Sequence, residues 1–229
     1  MEKLHKLVII GDSAFAQVAY EYFTHDSPYE VVGFSVERAY LKQEALFGLP
    51  IVPFESIERH FEPAKHWVYA ALVYTQLNRL RARLLAQAKA RGYRAASFVS
   101  PHAVVWRNAT IGEHCFVFEN NVIQPFCRIG NNVVLWSGNH IGHHSIVRDH
   151  VFIASHVAVS GFCDIGEYSF LGVNATISNN VTIAKDNLIG AGATILRNTK
   201  PGLIYGVKPT EANKSVTANV YFNVPEDAG

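Results

Sequence analysis

From Ile141 to Ile165 the chain reads IGHHSIVRDHVFIASHVAVSGFCDI, and an aliphatic residue returns at every sixth position: Ile141, Val147, Ile153, Val159, Ile165. Followed outward, the series runs unbroken back to Val99 through Leu135, Ile129, Ile123, Val117, Ile111 and Val105, and forward to Ile195 through Leu171, Ile177, Ile183 and Ile189. A helix repeats its side chains about every 3.6 residues and a strand every 2. Neither asks for six, but a solenoid of short strands and turns does. Four residues after each aliphatic stands a mostly small or β-branched residue, among them Ala103, Ala109, Cys115, Val133, Ser145, Val157 and Ala175, with Asn121, Asn139 and Asn187 as polar members. Large and small inward positions therefore alternate. Glycine follows the aliphatic at Gly112, Gly130, Gly142, Gly166, Gly172 and Gly190, and Asn, Asp and Gly are expected to supply the tight turns. No coil can bury its own apolar edge, so stability must come from stacking on neighbours. The uninterrupted count predicts a smooth prism with no long internal loop, and disfavours an antiparallel sandwich.

The chain's 229 residues leave room for one large domain or two modest ones. A hydrophobic fraction of 49%, a charged fraction of 17% and a net charge of +1 fit a globular protein with no nucleic-acid partner recruited by bulk charge. Met1 to Lys6 leads straight into a strand, without the basic and apolar segments of a secretory leader. No apolar run approaches the roughly 20 residues of a membrane span. Cytoplasm is the expected compartment. Cys115, Cys127 and Cys163 fall on the inward small position and are expected to be buried residues rather than disulfide or metal ligands.

Ahead of the prism, Lys6 to Ile10 predicts a strand ending in Gly11, Phe15 to Phe23 a helix, and Val31 to Phe34 a second strand, together a βαβ unit of a parallel sheet. The turn Gly11-Asp12-Ser13-Ala14 could present backbone N–H groups to a phosphate, although the full glycine fingerprint is absent. Trp67 to Val73 predicts another strand and Leu77 to Arg91 a helix with Gly92 as its C-terminal cap. Arg79, Arg81 and Arg83 are expected on its solvated face, with one able to reach an anionic ligand. Past Ile195 the hexad lapses at Pro201, returns once at Val207 and stops at Lys208-Pro209. The tail, residues 210–229, has no repeat, and its Val216 to Val224 fits either a strand or a helix packed outside.

Histidines mark the turns. His102, His114, His144, His150 and His156 each stand three residues after an aliphatic, and His140 and His143 stand close by. At about 18 residues per triangular coil, His114 and His150 share a column two coils apart, too far at about 4.8 Å per coil to share one ion. General-base catalysis suits the cluster better: neutral imidazole accepts a proton from an amine or hydroxyl attacking a thioester. A backbone N–H beside Gly161 could then meet the developing oxyanion.

The α/β start and the Gly/His-bearing repeat together resemble the hexapeptide-repeat sugar acyltransferases of the sialic acid O-acetyltransferase-like group, which includes N-acetyltransferases acting on nucleotide-linked amino sugars. The resemblance implies an α/β N-terminal domain with a small Rossmann-like parallel sheet over residues 1–95, followed by a left-handed parallel β-helix over 96–209. The handedness comes from the resemblance alone, since the usual crossover rule points the other way. The resemblance also implies a homotrimer with acetyl-CoA as co-substrate in the groove between prisms, and it places the general base on His143. Where the family usually has an acidic residue next, this chain has His144; Asp149 or a carboxylate of a neighbouring subunit could stand in. The backbone contact to the thioester falls on Gly161, with further coenzyme contacts on Val173 and Ala191. Family members carry a histidine in the first turn and an acidic pair after the second strand; here the equivalents are Ser13, Ala14, Phe15, Ser35 and Val36, with Glu37 placed to contact a ribose. The implied activity is acetylation of an amino group on a nucleotide-linked deoxysugar for surface polysaccharide. The alternatives are sugar O-acetylation of the sialic-acid type and a non-catalytic trimeric scaffold.

Overall fold

A computed structural model describes residues 2–212 and 215–224. Strand β1 (His5–Ile10) is the centre of the N-terminal sheet, pairing in parallel with β2 (Tyr29–Val36) on one side and β5 (His66–Ala70) on the other. β4 (Leu49–Pro53) extends the sheet beyond β2, β6 (Arg94–Ala95) extends it beyond β5, and the short β3 (Ala45–Leu46) runs antiparallel to β4 at the edge. A central parallel strand must be apolar on both faces, and β1 is. Its Leu7 and Ile9 pack with helix α1 (Ala14–Asp26), while Val8 and Ile10 pack with helix α2 (Arg79–Ala90).

Helix α2 begins two residues later than its apolar pattern predicts, because Leu77 and Asn78 hold left-handed φ values of 47° and 66°. It ends as expected. Gly92 has a φ of 92°, its N–H donates to Lys89 O, and Tyr93 N–H donates to Ala88 O, the paired hydrogen bonds that close a helix on a glycine. The expectation of a solvated arginine face fails at Arg81, which is fully buried and donates to Asn132 O. Arg79 instead pairs with Asp186, and Arg83 with Glu37.

From Phe98 onward the chain is a left-handed parallel β-helix of two-residue strands. Its first face has seven strands, from Phe98–Val99 to Ile204–Tyr205; its second has six, from Val104–Val105 to Thr194–Ile195; its third has five, from Thr110–Ile111 to Thr182–Ile183. Apart from Val99, which is exposed, the hexad aliphatics fill the interior with the small residues, including all three free cysteines. Burial pushes the Cys115 thiol up to about 11, so it stays protonated and inert. The first face turns Phe98, Phe116, Val134 and Phe152 outward into one apolar layer with Phe15, Phe23 and Tyr69. That layer welds the prism to the N-terminal sheet.

The turns are built differently from expectation. The left-handed residue is the third after the aliphatic, at His114, Asn120, Phe126, Asn132, His144, His150, His156, Phe162, Tyr168, Asn174, Asn180 and Asp186, with φ between 56° and 65°. The glycines directly after the aliphatic lie outside that region. At Gly142 an added Cβ would stand 2.5 Å from the Ser160 carbonyl carbon, so glycine there serves the close stacking of coils. In the tail, a single turn at Ala218–Tyr221 is capped by Thr217, and residues 216–224 are exposed rather than packed outside the prism. The rest of the predicted tail lies partly outside the described residues.

Candidate active site at the prism edge

The edge between the second and third faces carries His143 and His144, both exposed. Their backbone is pinned from the coils on either side: His143 N–H donates to Gln124 Oε1 at 2.9 Å, His144 N–H to Pro125 O at 3.1 Å, and Phe162 N–H to His143 O at 2.9 Å. The two Nδ1 atoms lie 3.1 Å apart, with the rings nearly perpendicular at 88°. His144 is stacked between Phe126 at 4.5 Å and Phe162 at 4.7 Å. Left-handed backbone costs a bulky residue about 1–2 kcal/mol, and ring stacking between successive coils offsets it.

The His143 ring lies over Gly161. A Cβ on that glycine would stand 2.7 Å from His143 Cε1 and 2.9 Å from Nε2, so the ring in this position sits against a residue without a side chain. The structure therefore brings these two predicted residues together, but with one correction. Gly161 N–H is not free to meet a thioester oxygen, because it donates to Asn179 Oδ1 at 2.9 Å. Val173 and Ala191 are exposed on a different edge, between the first and second faces, and are stacked through the Gly192 N–H to Val173 O bond of 2.8 Å. Asp149 is on the third edge, where it accepts from Asn131 N–H at 2.7 Å. It is not the partner of His143.

On that third edge the shared column of His114 and His150 has Asn132 between them. His114 Nδ1 and Asn132 Oδ1 are 2.8 Å apart, as are Asn132 Nδ2 and His150 Nδ1. His114 Nε2 accepts from Ala70 N–H at 2.8 Å, and its ring stacks on Tyr69 at 4.5 Å. That bond fixes the Nδ1–H tautomer. Burial first, then the Arg81 guanidinium, pushes its pKa down to about 3. These histidines join the sheet to the prism.

In the N-terminal sheet, a cleft of about 180 Å³ opens where β1 and β2 end, lined by Ile10, Gly11, Asp12, Ser13, Ser35, Val36, Glu37, Tyr40, Leu72, Leu80 and Leu84. Ser13, Ser35 and Val36 thus meet as predicted. Ser35 Oγ is buried without a hydrogen-bond partner, and Ser13 makes no side-chain cap to α1. Phe15 and Ala14 do not line the cleft. Phe15 points the other way, against Tyr69, Phe116, Phe118 and Trp136, because its helix buries that stripe on the prism; Ala14 is exposed in the first turn. Glu37 at the rim is held by Arg83 through two bonds of 2.9 Å.

The sequence reading missed the clamp of Phe126 and Phe162. Its only signal was spacing: aromatic rings at 126, 144 and 162 recur every eighteen residues. Among the described residues no three of His, Cys, Asp and Glu converge closely enough to hold a metal ion.

The geometry has close parallels. The acetyltransferase domain of PglB from Neisseria gonorrhoeae, solved with acetyl coenzyme A, superposes with a TM-score of 0.79 at 23% identity, over 90% of this chain and 98% of that one. PerB from Caulobacter crescentus, solved with CoA and GDP-perosamine, gives 0.77 at 25% identity, over 88% and 94%. The chain has the fold of the hexapeptide-repeat sugar acetyltransferases. Residues 93–199 also match the family described as GMPPB C-terminal domain. Among curated proteins, gamma carbonic anhydrase 1 of Arabidopsis thaliana is 27% identical over 160 residues, 62% of this chain and 57% of that protein. The acyl-carrier-protein–UDP-N-acetylglucosamine O-acyltransferase of Campylobacter concisus is 22% identical over 104 residues, 45% of this chain and 40% of that protein. The chain spans about half the length of these curated relatives. No described helix is long and apolar enough to cross a membrane.

Proposed function

We propose that this chain is an acetyl-CoA-dependent acetyltransferase acting on the amino group of a nucleotide-linked deoxysugar, for surface polysaccharide. The observation that carries the reading is the exposed His143 imidazole seated on Gly161 at the prism edge, on a fold shared with a protein solved with CoA and GDP-perosamine. His143 Nε2 takes the proton from the acceptor amine as its nitrogen bonds the acetyl carbon and the carbon–sulfur bond breaks. The same proton then passes to the departing CoA thiolate. A second prism of a homotrimer would cover the exposed rings of Phe126 and Phe162 and complete a groove for acetyl-CoA, with Val173 and Ala191 contacting it further along. The α/β cleft, through Ser13, Ser35 and Val36, takes the nucleotide, and the enzyme works in the cytoplasm.

Sugar O-acetylation is the second reading. It is favoured by the absence of a free carboxylate at the end of β2, where Ser35 and Val36 are buried and Glu37 is paired with Arg83. Thiol release from acetyl-CoA, with GDP-perosamine and a panel of amino sugars and plain sugars as acceptors, tests both. Base-stable product supports N-acetylation and base-labile product O-acetylation; no release with any acceptor supports a scaffold. Release that survives His143→Ala undiminished removes His143 as base.

A further inference from the structure

We propose that His144 is the positioning partner of His143: it accepts the His143 Nδ1 proton and so leaves Nε2 as the basic atom. This rests on the reading of His143 as base. Two neutral imidazole nitrogens 3.1 Å apart cannot present two lone pairs or two protons to each other, so one proton lies between them. If His144 supplied it, His143 would carry its own proton on Nε2, the atom over Gly161, and could accept nothing from a substrate. If His143 supplies it, Nε2 is bare.

Among the described residues, no charged group stands at the adjoining coil corners to take this role. The coil corners above and below contribute Gln124, Pro125, Phe126, Ser160, Gly161 and Phe162, none of them charged. The phenyl faces of Phe126 and Phe162 hold the His144 ring at interplanar angles of 26° and 16°. They also favour cationic character on the ring they enclose. As His143 gains a proton at Nε2, its Nδ1–H bond to His144 spreads part of the charge into that clamp.

Two substitutions separate the hydrogen bond from the stack. His144→Phe keeps the ring ladder, and the backbone admits it, because Phe126 and Phe162 hold the same left-handed φ of 65° and 58°; it removes the acceptor. His144→Asn keeps an acceptor near the Nδ1 position and removes the stack. In 15N-labelled full-length protein, long-range proton–nitrogen spectra should show His143 as the Nδ1–H tautomer, reverting to Nε2–H in His144→Phe and staying Nδ1–H in His144→Asn. With acetyl-CoA and GDP-perosamine, His144→Phe should lower kcat about tenfold or more, below the loss of about 10²–10⁴-fold expected for the base itself, with KM for acetyl-CoA unchanged. His144→Asn should recover most of the rate. His143 found as Nε2–H in the unmodified protein, or a tautomer indifferent to His144→Phe, overturns the proposal whatever the protein acetylates. A dead His143→Ala beside a fully active His144→Phe overturns it while leaving the function standing.

Discussion

His114 and His144 hold the same place in the repeat, three residues after an aliphatic, with φ of 56° and 61°, yet they have opposite surroundings. His114 is buried under the N-terminal sheet, donates to Asn132, accepts from Ala70 and is held neutral. His144 stands in the open, stacked between phenyl rings, with only another imidazole as polar side-chain partner. Backbone register makes the two positions equal, and whatever packs on the edge makes one a structural bond and leaves its counterpart on an exposed surface.

The sharpest way to break this contrast is to remove one histidine from each edge. His143→Ala should lower acetyl transfer by about 10²–10⁴-fold while leaving the unfolding free energy within about 0.5 kcal/mol of the parent, as exposed positions do. Thiol-release assays and urea titration read the two effects. His114→Ala should do the reverse. It strands the Ala70 N–H and opens a hole beside Tyr69, which should cost about 2–4 kcal/mol in the same titration, with activity at low temperature retained.

Acid should cost stability through the buried edge. The unfolded His114 imidazole has the ordinary value of 6.5 and the folded one about 3, so the unfolded chain binds the extra proton between those limits. The stability this neutral ring contributes is complete above pH 6.5 and is lost as the pH falls toward 3, at about 1.4 kcal/mol per unit at most. Urea titrations at successive pH values on the parent and on His114→Gln should differ by that slope. A common slope would mean that the edge is not dry. The smallest effect concerns the α/β cleft. Ser35→Ala removes a buried hydroxyl without a partner, so stability should stay level or rise by up to about 1 kcal/mol, whereas GDP binding in a calorimeter should weaken by about 0.5–1.5 kcal/mol if the cleft holds the nucleotide.

Much of the prism was legible because its rule is local and strict. An aliphatic every sixth residue from Val99 to Ile195 has one economical solution, and the inward columns follow from it down to the three cysteines. The turn chemistry was only half legible. Glycine at the position after the aliphatic looks like turn punctuation, yet it answers to the next coil's backbone, as Gly142 does to Ser160. Arg81 was misread because its helix pattern is equally apolar on the side that meets the prism, and nothing in the local sequence says that Asn132 O waits there. Phe15 was assigned to a ligand cleft as the positional equivalent of a family residue, whereas helix α1, which contains it, turns it onto the prism.

By itself the sequence determined the stacked coil and the place of His143 and His144 on an edge, since a six-residue period leaves each side chain a single direction. Only the tertiary structure decided which edge is covered by the N-terminal sheet and which is open. With that it decided which imidazoles are kept dry and neutral, which are clamped between rings, and that Gly161 N–H is already bonded to Asn179. Those choices depend on surfaces brought together from residues far apart in the chain, where hydrophobic burial and desolvation act on contacts that no local repeat encodes.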